Sequence, residues 1–447
     1  MSTQSVYPPV RVASMGEQTR LFIAAFVIVL IAEFIGNVSI PLGSTEIVLL
    51  PLLWAVLIGA VLGLNAKRMP AGVRINSDMQ RTAASLLQPV LLLFIAKLGL
   101  LVGGAIPKLV ASGAGLLFQE FGHFFGTMIF GLPLALLLGI KRQAIGATFS
   151  VGREPSLAII GERFGMKSPE GQGVLAEYLT GTVFGAVFIA LLAGLLTSLG
   201  IFNPLALAMG AGVGSGSLMA AASGAIAAQQ PPEVAKDIAA FAAASNLITT
   251  TIGTYFTLFL SLPFTLWAYK VLEPILGRTT KASIDAADIG ADIEHELPKS
   301  GIGAQIVVWI AVGVFSLFGN WINYKVPATD PAAIAGMAII VGVVGVGYAL
   351  YRLTARKLPA VIWVSLIGMI LTYPGFPGAH DIAALTGKIN FLALSTPILA
   401  FAGLSIAKDV PAFRRLGWRI VAVSFAANGG TFIGATIIAQ FFMHSPV

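Results

Sequence analysis

The sequence predicts an all-α polytopic membrane protein with inverted repeats. Three observations predict it. The 447-residue chain is 57% hydrophobic and only 11% charged, with mean hydropathy +0.89. A soluble chain of this length needs far more charge to keep its surface wet. Apolar stretches of about 20 residues, long enough to cross ~30 Å of hydrocarbon, recur from end to end. Two Gly-rich polar segments interrupt that pattern at corresponding places.

Taken in order, a polar arm over 1–20 leads into the first span without a signal-peptide cleavage pattern, so that helix is expected to insert unprocessed. Spans are predicted near 21–41, 46–64, 84–105, 115–140, 172–198, 238–269, 302–323, 332–351, 358–373, 391–407 and 419–443, about eleven in all. The interrupted segments, 144–162 and 205–228, are extra and read as re-entrant hairpins; full crossing as broken helices is the alternative. Basic residues sit in alternate loops: Lys67, Arg68, Arg74, Arg81; Lys141, Arg142; Arg163, Lys167; Arg278, Lys281; Arg352, Arg356, Lys357; Lys408, Arg414, Arg415, Arg419. The opposite loops hold little beyond Lys108, Lys236, Lys325 and Lys388. This asymmetry predicts a cytoplasmic N-terminus and an outside C-terminus. It also accounts for the net charge of +7 without nucleic acid. In the polar linker 276–300, Ile289, Ile293 and Leu297 recur at i, i+4 and i+8, the spacing of a short amphipathic helix.

The interruptions are related. Ser150-Val-Gly-Arg-Glu-Pro-Ser156 parallels Gly212-Val-Gly-Ser-Gly-Ser217, and each precedes a Pro-Glu pair, Pro169-Glu170 and Pro232-Glu233. A span follows both, with Leu179, Thr182 and Gly185 matching Leu247, Thr250 and Gly253. These define core repeats at 144–198 and 203–270. A wider repeat pairs Trp54-Ala-Val-Leu-Ile-Gly59 with Trp363-Val-Ser-Leu-Ile-Gly368, and Gly126-Thr127 with Gly430-Thr431. Helix starts keep step, so 21–140 and 332–443 are expected to be scaffold copies, with 302–323 as a connecting helix. An odd number of crossings separates the copies of each pair and inverts the second, the geometry of alternating access.

The chemistry follows from residue types. With no cysteine, thiol catalysis and thiolate metal sites are excluded; four scattered histidines suggest no metal beyond Na⁺. A charge at membrane depth usually faces a cavity and has a function. Arg153 is therefore a candidate to grip a carboxylate bidentately, and Glu154 to hold Arg153 or to take up H⁺ or Na⁺. Ser156 adds a hydroxyl. Gly212, Gly214 and Gly216 let backbone N–H groups approach a ligand, and a helix starting near Ser217 aims its positive end at an anion. Ser215, Ser217 and Asn246 complete the substrate-binding candidates. Thr249 and Thr250, with Glu177 and Thr182 in the matching region, supply hard oxygens for ion coupling. Glu120 and His123, one turn apart on one helix face, are candidates for a proton relay. For all of these the competing reading is interhelical packing and hydrogen bonding.

The Gly152-Arg-Glu-Pro-Ser156 segment, the run from Gly212 to Ala225 and the overall layout resemble a bacterial integral-membrane family catalogued as domain of unknown function 3100. That resemblance covers most of the chain, implies a bacterial inner (cytoplasmic) membrane and implies no substrate. More loosely, two oppositely entering Gly-rich hairpins are similar to those of sodium-coupled citrate and glutamate carriers, although their hairpin motifs are not reproduced. The expected function is secondary active transport of a small organic anion or amino-acid-like solute, coupled to H⁺ or Na⁺, without other cofactors. No nucleotide-binding signature is present. By analogy the chain is expected to form a homodimer. The alternatives are a channel or holin-like exporter and an intramembrane serine protease using Ser215 or Ser217; the latter is weakened by the shortage of histidines in spans.

Overall fold

The computed structural model describes residues 13–42, 45–70, 72–111, 114–165, 168–212, 214–278, 301–354, 359–408 and 410–443. Within these, the side chains at 42, 45–47, 153, 154, 158, 162, 182, 251, 252, 254 and 411–416 are outside the description. The amphipathic turn at Ile289–Leu297 also lies outside the described residues.

The chain is all-α and polytopic. Among the described residues, seven stretches are long and apolar enough to cross a membrane. They are α1 (Met15–Ile35), α3 (Ser77–Ala111), α4 (Gly115–Leu137), α7 with α8 (Pro169–Thr180 and Ala186–Leu199), α14 (Ile302–Tyr324), α15 (Pro331–Leu353) and the Gly417–Phe442 part of α19 (Val410–Phe442). Of the other predicted spans, 238–269 runs through a series of broken helices between Pro232 and Leu276, and three use shorter helices: α2 (Pro51–Leu64), α16 (Ala360–Thr372) and α18 (Phe391–Ile406). The last follows α17 (Ala379–Gly387) at a bend of 56°.

The boundaries of the first two spans differ from expectation for local reasons. Helix α1 begins at Met15, not 21, because Ser14 and Glu17 form a reciprocal capping box. It ends at Gly36, whose φ is 70°. The predicted span 46–64 gives up its first turn to an antiparallel hairpin, β1 (Val38–Leu42) with β2 (Thr45–Leu49). Pro51 then opens α2 at its first turn, and Leu50 before it is held extended, as the residue before proline prefers.

Small residues set the contacts of α2 with α18, α3 with α16 and α4 with α19. A Cβ on Gly59 would sit 2.9 Å from Leu404 N and 3.0 Å from Ala400 O and Gly403 C; one on Gly368 would sit 2.9, 3.1 and 3.0 Å from Leu100 N, Ala96 O and Gly99 C. Gly403 in turn packs on Val56, and Gly99 on Ser365. Along α4 and α19, Gly122 meets Gly434 and Gly126 meets Gly430, each glycine against the other's carbonyl. These helices therefore run antiparallel at backbone contact, which any larger residue would prevent. The Thr127 and Thr431 hydroxyls hydrogen-bond to each other at that crossing.

The two interrupted segments fold back. In the first, α5 (Gln143–Thr148) is followed by a break and α6 (Arg153–Arg163). Arg142 at its start pairs with Glu170 at the start of α7, so the chain returns to where it entered. Between those points Phe149 reaches along the neighbouring helix to Ser261, whose hydroxyl donates to the Phe149 carbonyl. Ile159 and Ile160 of α6 pack with Ile145 and Phe149. The second hairpin is α9 (Pro204–Ala211), a break, and α10 (Gly216–Ala227). Gln229 beyond α10 accepts from Ser198 (2.8 Å) and donates to the Gly194 carbonyl (3.0 Å), both near the end of α8. It too closes on its own entry point.

The span after each hairpin contains a π-turn at the matching position. One covers Gly181–Gly185 between α7 and α8. The other covers Thr249–Gly253, after α11 (Pro232–Ile248) and before α12 (Thr254–Phe256). A further π-turn, Thr257–Ser261, leads into α13 (Leu262–Leu276). Such bulges release backbone groups from the regular ladder and collect at functional sites.

Candidate functional site: a cavity between two hairpin tips

The tips of both hairpins and both matching π-turns open onto one cavity of about 430 Å³, within the size range of small-molecule sites. Ser150, Gly152, Pro155 and Ser156 come from the first tip, and Gly214 to Ser217 from the second. Gly181 and Val183 come from one π-turn, and Thr249, Thr250 and Gly253 from the other. Further wall comes from Leu87, Gln88, Leu91 and Ile95 of α3, Ile398, Leu399 and Ala402 of α18, and His123 of α4.

Each tip is the start of a helix. Gly152 is the N-cap of α6 and Ser215 that of α10. At the first tip, the Ser150 hydroxyl accepts from Gly152 N at 3.0 Å, and Ser156 Oγ is buried with no hydrogen-bond partner among the described residues. At the second, Ser215 Oγ accepts from Leu218 N at 3.4 Å and lies 3.1 Å from Ser217 Oγ. Two helix N-termini thus face the same space, and their partial positive charges favour an anion there.

The second tip is held from behind. Asn246 Nδ2 donates to the carbonyls of Gly212 (2.7 Å) and Gly214 (3.3 Å), and Ser245 Oγ to that of Met209 (2.7 Å). Gly214 has φ +89°, a conformation costing a side-chain-bearing residue roughly 1–2 kcal/mol.

The predicted site residues divide into four groups. Ser156, Gly214, Ser215, Gly216 and Ser217 line the cavity, as do Thr249 and Thr250. Asn246 lines it and clamps the tip. Gly212 is not in the wall: it packs against Ala242 and Ser245 of α11, where a Cβ would come 2.5 Å from Ala242 O. The side chains of Arg153, Glu154 and Thr182 lie outside the described residues. The remaining candidates make contacts between helices. Glu120 accepts from Gln119 Nε2 (2.8 Å) and from the Thr249 hydroxyl, with His123 Nδ1 at 3.6 Å. Glu177, buried on α7, accepts from Asn428 Nδ2 of α19 at 3.2 Å.

Sequence reasoning missed Gln88, Leu91 and Ile95, which form the cavity's far wall. Their stretch reads as an ordinary apolar span, and only the polar Gln88 breaks it. It also missed Tyr178, one residue before Leu179 in the shared motif.

Among the described residues, no group of three or more His, Asp or Glu side chains is placed to hold a metal ion. No curated protein and no solved structure matches the chain. The profile of the family described as protein of unknown function (DUF3100) matches residues 30–271, more than half of the chain and including both hairpins, and the chain belongs to that family.

Proposed function

We propose that this protein is a secondary active transporter for a small organic anion or amino-acid-like solute. The observation that carries the reading is the convergence of two re-entrant tips and two π-turns on one cavity. Irregular backbone at membrane depth is tolerated where it is buried in protein or lines a cavity, and broken segments in corresponding repeats mark transporter sites. Paired helix N-termini and serine hydroxyls suit an anionic group, with Arg153 as its counter-charge. The cavity carries out binding and passage, with no chemical step.

The reading requires two-fold inverted architecture, and several contacts support it. Gly59 and Gly368, aligned by sequence, have matching neighbours. Gly126 and Gly430, likewise aligned, touch each other. Because their helices are antiparallel, an operation exchanging them reverses helix direction. For membrane-spanning helices its axis lies in the membrane plane, as in inverted repeats. The cavity wall extends to Pro359, Ser405 and Lys408, at the end rich in Lys and Arg. By the positive-inside rule that end is cytoplasmic, and this conformation is inward-open.

The test is thermal unfolding of the detergent-purified protein with mono- and dicarboxylates, amino acids and acyl-amino acids. A ligand at 100 times its dissociation constant adds about 2.7 kcal/mol. A stabilising compound that is also accumulated by proteoliposomes supports the carrier. A compound that binds but equilibrates without a coupling gradient favours a channel.

A further inference from the structure

We infer that the ion coupled to transport is a proton, bound by Glu120 and delivered through His123; this rests on the carrier reading above. Glu120 is buried behind the cavity wall, whereas His123, Thr249 and Gly253 are in the wall. Oε1 of Glu120 accepts from Gln119 Nε2 and the Thr249 hydroxyl. Oε2 faces His123 Nδ1 at 3.6 Å and the side-chain-free Cα of Gly253, where a Cβ would lie 3.1 Å from it. His123 thus stands between the carboxylate and the space solvent reaches.

The surroundings favour a proton over a metal cation. Among the described residues His123 is the one ion-pair partner of Glu120 within 4.0 Å. Among the described residues, α4 meets neutral groups on its neighbours: Thr249 and Gly253 from the long broken helix, Phe256 against Phe121, Phe264 of α13 against Phe124, Met209 of α9 beside Gly115, Thr148 of α5 against Gly131, and Thr431 and Gly434 of α19. Farther along α13, Glu273 pairs with Lys141. Gln119 and Thr249 both present hydrogens to the carboxylate, an arrangement suited to holding an anion and poorly suited to an oxygen cage around Na⁺.

The step is a simple transfer. Imidazolium Nδ1–H breaks, an O–H bond forms on Glu120 Oε2, and neutral imidazole is left to take its next proton from cavity water. The 3.6 Å gap is spanned by one water or by a small ring movement. Glu120 belongs to the scaffold and Thr249 to the core, so neutralising the carboxylate weakens the tie between them. Proton binding and core movement are coupled at that bond.

The chain lacks cysteine, so a single introduced thiol is the only one to react. Gln88→Cys reports on the cavity and Lys67→Cys, exposed in the short 3-10 turn Ala66–Arg68, corrects for thiolate fraction. Both are labelled with a membrane-impermeant maleimide in proteoliposomes between about pH 5 and 9. The expected result is a ratio of rates that changes at least about threefold through an inflection, insensitive to replacing Na⁺ by choline, as a two-state population shift requires. Glu120→Gln abolishes the inflection. Thr249→Val, which removes a donor to the carboxylate, shifts it. An unchanged inflection in both variants overturns the assignment to Glu120. A ratio that follows Na⁺ instead of pH overturns the proton and leaves the carrier standing. A ratio that no pH, Na⁺ concentration or stabilising solute alters removes the carrier reading, and the proton site with it.

Discussion

Asn246→Leu is the sharpest test of how the second tip is built. The side chain is buried and donates two hydrogen bonds, 2.7 Å to the Gly212 carbonyl and 3.3 Å to that of Gly214. Leucine keeps nearly the same volume and removes both donors. Interhelical bonds in membranes average about 0.6 kcal/mol and reach about 1.7, and orphaned buried carbonyls cost about 1–3 kcal/mol. The shorter bond carries most of the effect, so the tip should open more easily by about 1–3 kcal/mol in total. At 1.4 kcal/mol per factor of ten this is a roughly five- to 150-fold faster amide exchange. Hydrogen-exchange mass spectrometry should show it over 212–217, while a peptide covering 150–153 stays protected as before. Global unfolding should shift less than local exchange, because α9 and α10 keep their packing. Wild-type protection at 212–217 in this variant would refute the clamp and leave Asn246 as a wall residue only.

Leucine at Gly126 or at Gly430 must force α4 and α19 apart, since each glycine touches the other's carbonyl. Each should cost about 3 kcal/mol in thermal or denaturant unfolding, and tolerance of one but not the other would break the two-fold reading. Arg142→Ala orphans Glu170, whose side chain is 3% exposed, and should lower stability by about 2 kcal/mol. Adding Glu170→Gln should restore most of that loss, because the uncompensated charge is then gone; no rescue would place the effect in packing. Arg153→Ala should insert and unfold like the parent yet lose the stabilisation given by an anionic ligand, and a retained shift would exclude Arg153 as the anion's counter-charge.

Much of the architecture is legible in local sequence because its causes are local. Hydropathy sets where the chain can lie in lipid, so the predicted spans fall on observed helices. The breaks at Ser150–Gly152 and Gly212–Ser215 are visible because serine and glycine interrupt long apolar runs. The β1–β2 hairpin was not visible. Its residues are as apolar as a span, and what stops the helix is the pairing of Val38–Leu42 with Thr45–Leu49 together with Pro51. The π-turns were not visible either; only the matching Leu-x-x-Thr-x-x-Gly spacing marked their positions.

What the sequence by itself determined is the membrane class, the place of each break and the pairing of like segments, since composition and periodicity act within one segment. Only the tertiary structure decided that both tips share a cavity, that Gly212 packs while Gly214 bends, and that Glu120 meets Thr249 across 129 residues. The physical reason is that these contacts depend on how closely two backbones approach. That distance is set by small residues on both partners at once, as where Gly122 meets Gly434, and neither segment alone carries a sign of it.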